Sequence, residues 1–175
     1  MAKKVFSFDA ETNGLWGQAF AIGAVVYDEN GCETKKFYGR CPIEGTVDSW
    51  VNENVLPQMA GMPETADSYE ALLRQFAEFY MANKEGSDII VHMGVPVEAK
   101  LFLDLHKMGI IGDWDAPYPL IDIAGNLLQA GFDPTSVDKY NADHGISVPM
   151  PEPGGTHNPL YDSRAAALCY IDLMK

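Results

Sequence analysis

Basic residues are scarce in this chain. Its 175 residues hold 12 Lys and Arg against 25 Asp and Glu, a formal charge of −13. A protein that wraps a duplex through many phosphate contacts needs a basic face. No Lys/Arg-rich run exists here. Lys3–Lys4 and Lys35–Lys36 are the only adjacent basic pairs, and they read as solvated strand ends. Any hold on nucleic acid is therefore expected to be local and helped by bound cations. Long apolar runs are missing too, since no segment approaches the ~20 residues that a membrane helix requires. Met-Ala-Lys-Lys, followed directly by a strand pattern, has no apolar signal core. Cys32, Cys41 and Cys169 are widely spaced and form no paired motif, which argues against a zinc cluster. Free thiols in a reducing cytoplasm are the simplest expectation, with no membrane partner.

What is present is ordinary globular material, 47% hydrophobic and 21% charged. The length suits one domain over residues 1–175. Strand patterns cover 4–10, 19–28 and 34–41, and "DENG" before the third supplies a tight turn, giving an antiparallel meander. A loop-rich stretch follows, with a short helix at 47–55. Asp67 and Glu70 make a capping box for a helix near 68–83, where Tyr69, Leu72, Leu73, Phe76 and Phe79 recur at helical spacing. Strands at 88–92 and 118–122 then alternate with helices at 96–108, 123–130, 136–144 and 159–174. A meander followed by strand–helix alternation predicts an α/β fold: a mixed five-stranded sheet, part antiparallel and part parallel, with helices on both faces.

Four carboxylates stand in odd places. In "VFSFDAETNGL", Asp9 and Glu11 project to one face of an apolar strand, where their charges repel. In "PVEAKLFLDLHKM", Pro96 suits the first helical position and Glu98 shares a face with Leu101, Phe102 and Leu105. Asp104 lines up instead with Lys100 and Lys107 on the polar face and reads as a solvated acid. In the last helix Asn158 is the N-cap and Pro159 the first residue. Asp162 there falls on the face of Ala166, Cys169 and Leu173, while Arg164 points away. An acid at the head of a buried stripe is expensive unless it is paired or bound to metal. His157 stands five residues before Asp162, in a Gly-rich loop. Carboxylates without thiolates select Mg²⁺ or Mn²⁺ over zinc. His92, His106 and His144 read as structural.

These residues resemble, over nearly the whole chain, the DEDDh group of DnaQ-like 3′–5′ exonucleases, on the ribonuclease H-like fold. "FSFDAETNGL" resembles the first motif, "DIIVHMGVPVEAKLFL" stands where the second belongs, "PLIDI" resembles the following strand, and "THNPLYDSRAAA" resembles the third motif. The second motif departs from the family's pattern: Met93 replaces an Asn, Val97 takes the usual Asp position, and Glu98 follows one place later.

The resemblance implies two divalent cations, Mg²⁺ or Mn²⁺, held by Asp9, Glu11, Glu98 and Asp162, with His157 as the general base. It implies that Thr12, Asn13, Gly14, Leu15 and Trp16 form the wall against the terminal nucleotide, and Tyr161 is a further wall candidate. The expected partners are single-stranded DNA or RNA 3′ ends. Members of the family dimerise, so a homodimer stays open beside a monomer. One domain of this length leaves no room for a polymerase or helicase, so any proofreading role would pass through a partner. Two other functions fit the same residues: a ribonuclease H-type endonuclease, or a catalytically weakened nucleic-acid-binding module, which the altered second motif favours.

Overall fold

The computed structural model describes residues 4–150 and 155–175; Lys3 and Gly154 of the patterns above lie outside them. Three strands, β1 (Lys4–Thr12), β2 (Ala19–Tyr27) and β3 (Glu33–Arg40), form the expected antiparallel meander. The turn between β2 and β3 closes because Asp28 Oδ1 accepts the backbone N–H groups of Asn30 and Cys32, both at 2.9 Å. Two parallel strands, β4 (Ser87–Val91) and β5 (Ile121–Asp122), complete a five-stranded sheet of order β3-β2-β1-β4-β5. The result is an α/β domain with the ribonuclease H-like arrangement.

Helices cover both faces. Phe6, Phe8 and Ala10, alternate residues of β1, join a core with α2 (Tyr69–Asn83) and α3 (Val97–Lys107). Phe8 meets Phe76 of α2 and Phe102 of α3 at ring-centroid distances of 5.4 and 5.6 Å. On the opposite face Val5, Val25 and Ile90 pack against α4 (Ile123–Gln129), α5 (Val137–Asp143) and α6 (Pro159–Leu173). Asp9 and Glu11 have the parity of Val5, so strand alternation alone turns them toward α6.

Several expectations need correction. The box around Asp67 and Glu70 is displaced by one residue. Ser68 is the N-cap, accepting from Ala71 N, and Glu70 instead pairs with Arg74 one turn on. The short helix is α1 (Ser49–Asn54) plus a 3₁₀ turn at Leu56–Met59. Pro96 occupies the N-cap position of α3 rather than its first turn. The strand at 118–122 shrinks to Ile121–Asp122, because Pro119 has no N–H to give a ladder. Asp104 is not freely solvated: its side chain is 13% exposed, it accepts from Tyr69 Oη at 2.8 Å, and it pairs with Lys100. Among the described residues, no helix is long and apolar enough to cross a membrane.

Candidate active site

The site lies where β1 and β4 part. Parallel pairing runs from Lys4↔Ser87 to Ser7↔Ile90 and then stops. Beyond it, β1 continues alone on that edge for another turn of pleat, leaving backbone groups without a strand partner. Glu98 fills the gap. It is 4% exposed, and its Oε1 accepts the Ala10 N–H at 3.1 Å. The helix that carries it is aimed by Asp122, whose two oxygens accept Met93 N and Gly94 N, each at 3.0 Å. That grip holds Met93 at φ +57°, a conformation that side chains disfavour.

The approach of α6 brings the third acid. Gly23 of β2 stands opposite Asp9 in the β1–β2 register. A Cβ at Gly23 would lie 2.3 Å from the Pro159 carbonyl carbon and 2.4 Å from Leu160 N. The missing side chain lets the first turn of α6 rest directly on the sheet, and Ser163 Oγ donates to Gly23 O at 2.9 Å. Asp162, in that turn, consequently sits over Asp9.

Asp9, Glu11 and Asp162 each offer an oxygen, and these oxygens lie within 4.8 Å of one another. Glu98 is outside this trio but close enough for its charge to act with Asp9. The electrostatic consequence is large. Burial pushes the Asp9 carboxyl up to about 7. Burial, then the Asp9 charge, pushes Glu11 up to about 8. Glu98 and Asp162 also rise well above the ordinary carboxylate range, first through burial and next through Asp9. Four acids in one apolar corner either hold protons or share cations. The all-oxygen donor set, with no thiol or imidazole in the trio, fits Mg²⁺ or Mn²⁺.

A cleft opens over the trio and is also lined by His92, Thr156 and His157. His157 lies in the turn before α6. Its backbone N–H donates to Asp162 Oδ2 at 2.8 Å, its φ is +70°, and its ring packs edge-on against Trp50, with centroids 5.1 Å apart. Burial holds its pKa below the ordinary histidine value, which favours the neutral imidazole, the form able to accept a proton.

The proposed wall residues divide. Leu15 and Trp16 are 62% and 75% exposed, so Trp16 does not pack the turn and its ring is free to meet a ligand. Gly14 makes the turn at φ +79°. Asn13, by contrast, is committed to structure, since its Nδ2 donates to Thr46 O at 2.9 Å and its Oδ1 accepts Asp48 N at 2.7 Å. Thr12 ends β1 beside a register irregularity. The Tyr161 hydroxyl is also engaged, donating to Asp138 at 2.9 Å.

Sequence reasoning missed His92 and Thr156 at the cleft, Trp50 and Asp138 behind its His157 and Thr156, and Gly23 beneath it. His92 was read as structural and does bind Pro134 O at 2.9 Å, yet it also borders the cleft. A signal for Gly23 existed: it is a lone glycine in the apolar run "AFAIGAVVY", which marks a close backbone approach. Nothing local marks Trp50, because its contact with His157 spans the whole length of the chain between them.

No protein-family model matches the chain, and no curated protein matches it in sequence. Solved structures do. Over 98% of its length the chain is similar to exonuclease X in complex with 5′ overhanging duplex DNA, with a TM-score of 0.60 and 17% identity, covering 90% of that chain. It is similar to the Mg²⁺- and Mn²⁺-bound form of Pop2p from S. pombe over 97% of its length, with a TM-score of 0.66, 15% identity and 82% of that chain covered. A third likeness is to exonuclease I, with a TM-score of 0.68 at 12% identity; this chain is 99% covered but spans only 41% of that one. At such identities the likeness is one of fold.

Proposed function

We propose that this protein is a metal-dependent exonuclease of the DEDDh type, which removes nucleoside monophosphates from the 3′ end of single-stranded DNA or RNA. One observation carries the reading: Asp9, Glu11 and Asp162 converge within 4.8 Å in a cleft that also holds the His157 imidazole. Asp9, Glu11 and Asp162 would hold two Mg²⁺ or Mn²⁺ ions, with Glu98, anchored on the Ala10 N–H, as the fourth acid beside them. Such ions supply the positive charge that draws a phosphate into an acidic protein, and they lower the pKa of the attacking water. The cations also explain why a strand tolerates two like charges on one face.

The chain's own residues do the rest. The imidazole of His157 takes a proton from the water that attacks phosphorus, and the bond to the 3′ oxygen of the preceding nucleotide breaks, releasing a 5′-monophosphate. The imidazolium then gives its proton up to solvent, and the departing 3′ oxygen takes one from solvent to become the new 3′-hydroxyl. Trp16, exposed in the turn after β1, stacks on the terminal base, Leu15 wedges against it, and Gly14 admits its close approach. The solved exonucleases and the metal-bound Pop2p that share the fold support the same reading.

Matched RNA and DNA oligonucleotides labelled at the 5′ end, incubated with Mg²⁺, Mn²⁺ or chelator beside a circular oligonucleotide, provide the test. Progressive shortening only with metal, with the circle intact, is expected. A cut circle would mean an endonuclease. Tight binding without turnover at any metal would mean a binding module.

A further inference from the structure

One carboxylate beside the cleft has no part in that chemistry. Asp138 lies in the first turn of α5, which contributes none of the expected metal ligands. Its Oδ2 accepts from Thr156 Oγ1 at 3.0 Å and its Oδ1 from Tyr161 Oη at 2.9 Å. Thr156 immediately precedes His157, and Tyr161 immediately precedes Asp162. A single side chain thus grips the turn on both sides of the imidazole.

The turn needs such a grip. At φ +70° His157 sits in a region that a residue with a Cβ occupies only when its surroundings enforce it. Its own N–H bond runs to Asp162, which ties it to α6 but leaves the preceding residue unheld. The helix bearing Asp138 is firmly seated. Ser136 caps it through Lys139 N at 3.1 Å, and the buried Asn141 donates from Nδ2 to Ala165 O of α6 at 3.0 Å.

We propose that Asp138 is a positioning residue, which fixes the His157 imidazole over the cleft by holding the Thr156 and Tyr161 hydroxyls. The inference rests on the nuclease reading for its kinetic consequence. Asp138 is not among the residues that line the cleft, and it meets the turn through these two hydroxyls.

The test compares Thr156→Val, Thr156→Ser, Asp138→Ala and the Thr156→Val/Asp138→Ala double variant. Thr156 is exposed, so these changes at position 156 leave folding intact, as the thermal midpoint will verify. Thr156→Val is expected to lower kcat on an oligonucleotide by roughly tenfold with KM nearly unchanged, as loss of a group that orients a reacting side chain does. Thr156→Ser, which keeps the hydroxyl, should restore it. The double variant should be no worse than Asp138→Ala alone. A second readout does not depend on turnover: the His157 ring signal by NMR, assigned by its loss in His157→Ala, should shift or broaden in Thr156→Val and Asp138→Ala but not in Thr156→Ser. Wild-type kcat together with an unmoved ring signal in Thr156→Val overturns the proposal. If the wild-type protein hydrolyses nothing, the nuclease reading fails, and the ring signals alone decide the role of Asp138.

Discussion

Gly23 and Pro159 touch backbone to backbone, and that contact places Asp162 over Asp9. With only 2.3 Å between a hypothetical Cβ on Gly23 and the Pro159 carbonyl carbon, any side chain must push α6 off the sheet. Gly23→Ala is therefore expected to cost about 1–3 kcal/mol, the usual range for overpacking, and to separate the trio. A urea midpoint lowered at unchanged slope, with loss of metal-dependent hydrolysis, is the expected result. Full activity in this variant would detach the site from the packing described.

Replacing Asp9 separates stability from function. Raised carboxyl pKa values mean that the metal-free fold favours the protonated acids. Stability is thus fully present below the ordinary carboxylate range and is lost as pH rises toward about 7 for Asp9 and about 8 for Glu11. At pH 8 and without metal, Asp9→Asn should melt several degrees higher than wild type, while hydrolysis is abolished. Adding Mn²⁺ should raise the wild-type midpoint and leave that of the variant unmoved. Differential scanning calorimetry with and without chelator checks both.

His157→Ala should reduce turnover by about 10²–10⁴-fold, the range expected for a lost general base. Circular dichroism and the Mn²⁺-induced rise in melting temperature should match wild type, because among the described residues the ring's aromatic contact is with Trp50 and its backbone N–H persists. An unaffected rate removes the imidazole from the mechanism.

Trp16→Ala should raise KM and change kcat little. One base–aromatic stack is worth about 1–3 kcal/mol, roughly 5- to 150-fold in affinity. The 75% exposure of Trp16 means that its loss leaves the fold undisturbed. Steady-state kinetics on an oligonucleotide series decides it.

Acid lability should trace to Glu33 and Arg164. Arg164, on α6, is 7% exposed and holds Glu33 of β3 through Nε–Oε2 at 2.7 Å and Nη2–Oε1 at 3.0 Å. The guanidinium keeps the Glu33 carboxyl below its usual range. A depressed acid stabilises above its unfolded pKa, and that contribution is lost as pH falls through the folded value. Glu33→Gln should flatten the loss of stability expected of wild type as pH falls below the ordinary glutamate range. Arg164→Met, which leaves Glu33 without its partner, should cost on the order of 3 kcal/mol at neutral pH. Urea titrations across that window measure both.

The elements with strong periodicity were legible from the residues alone. Parity along "VFSFDAET" already turned Asp9 and Glu11 to one face, and the stripe of Leu101, Phe102 and Leu105 already set Glu98 inward. The α/β architecture followed from the order of these patterns. Boundaries were less legible: the Ser68 cap turns on one hydrogen bond, one residue from the acid expected to cap, and β5 is cut to two residues after Pro119. Arg164 was read as pointing away from Asp162, and its burial against Glu33 was not foreseen, because the pair lies 131 positions apart.

The parts invisible in sequence share one property: they join distant segments. Trp50 on His157, Asp138 on the turn before α6, and Gly23 beneath Pro159 are contacts between surfaces that meet only once the sheet has closed. Local residue type and spacing determined which side chains face which way, because a strand or helix fixes direction through its own backbone geometry. Only the tertiary structure decided how near those side chains come to one another, because distances between elements are set by packing, and here by the missing side chain at one glycine.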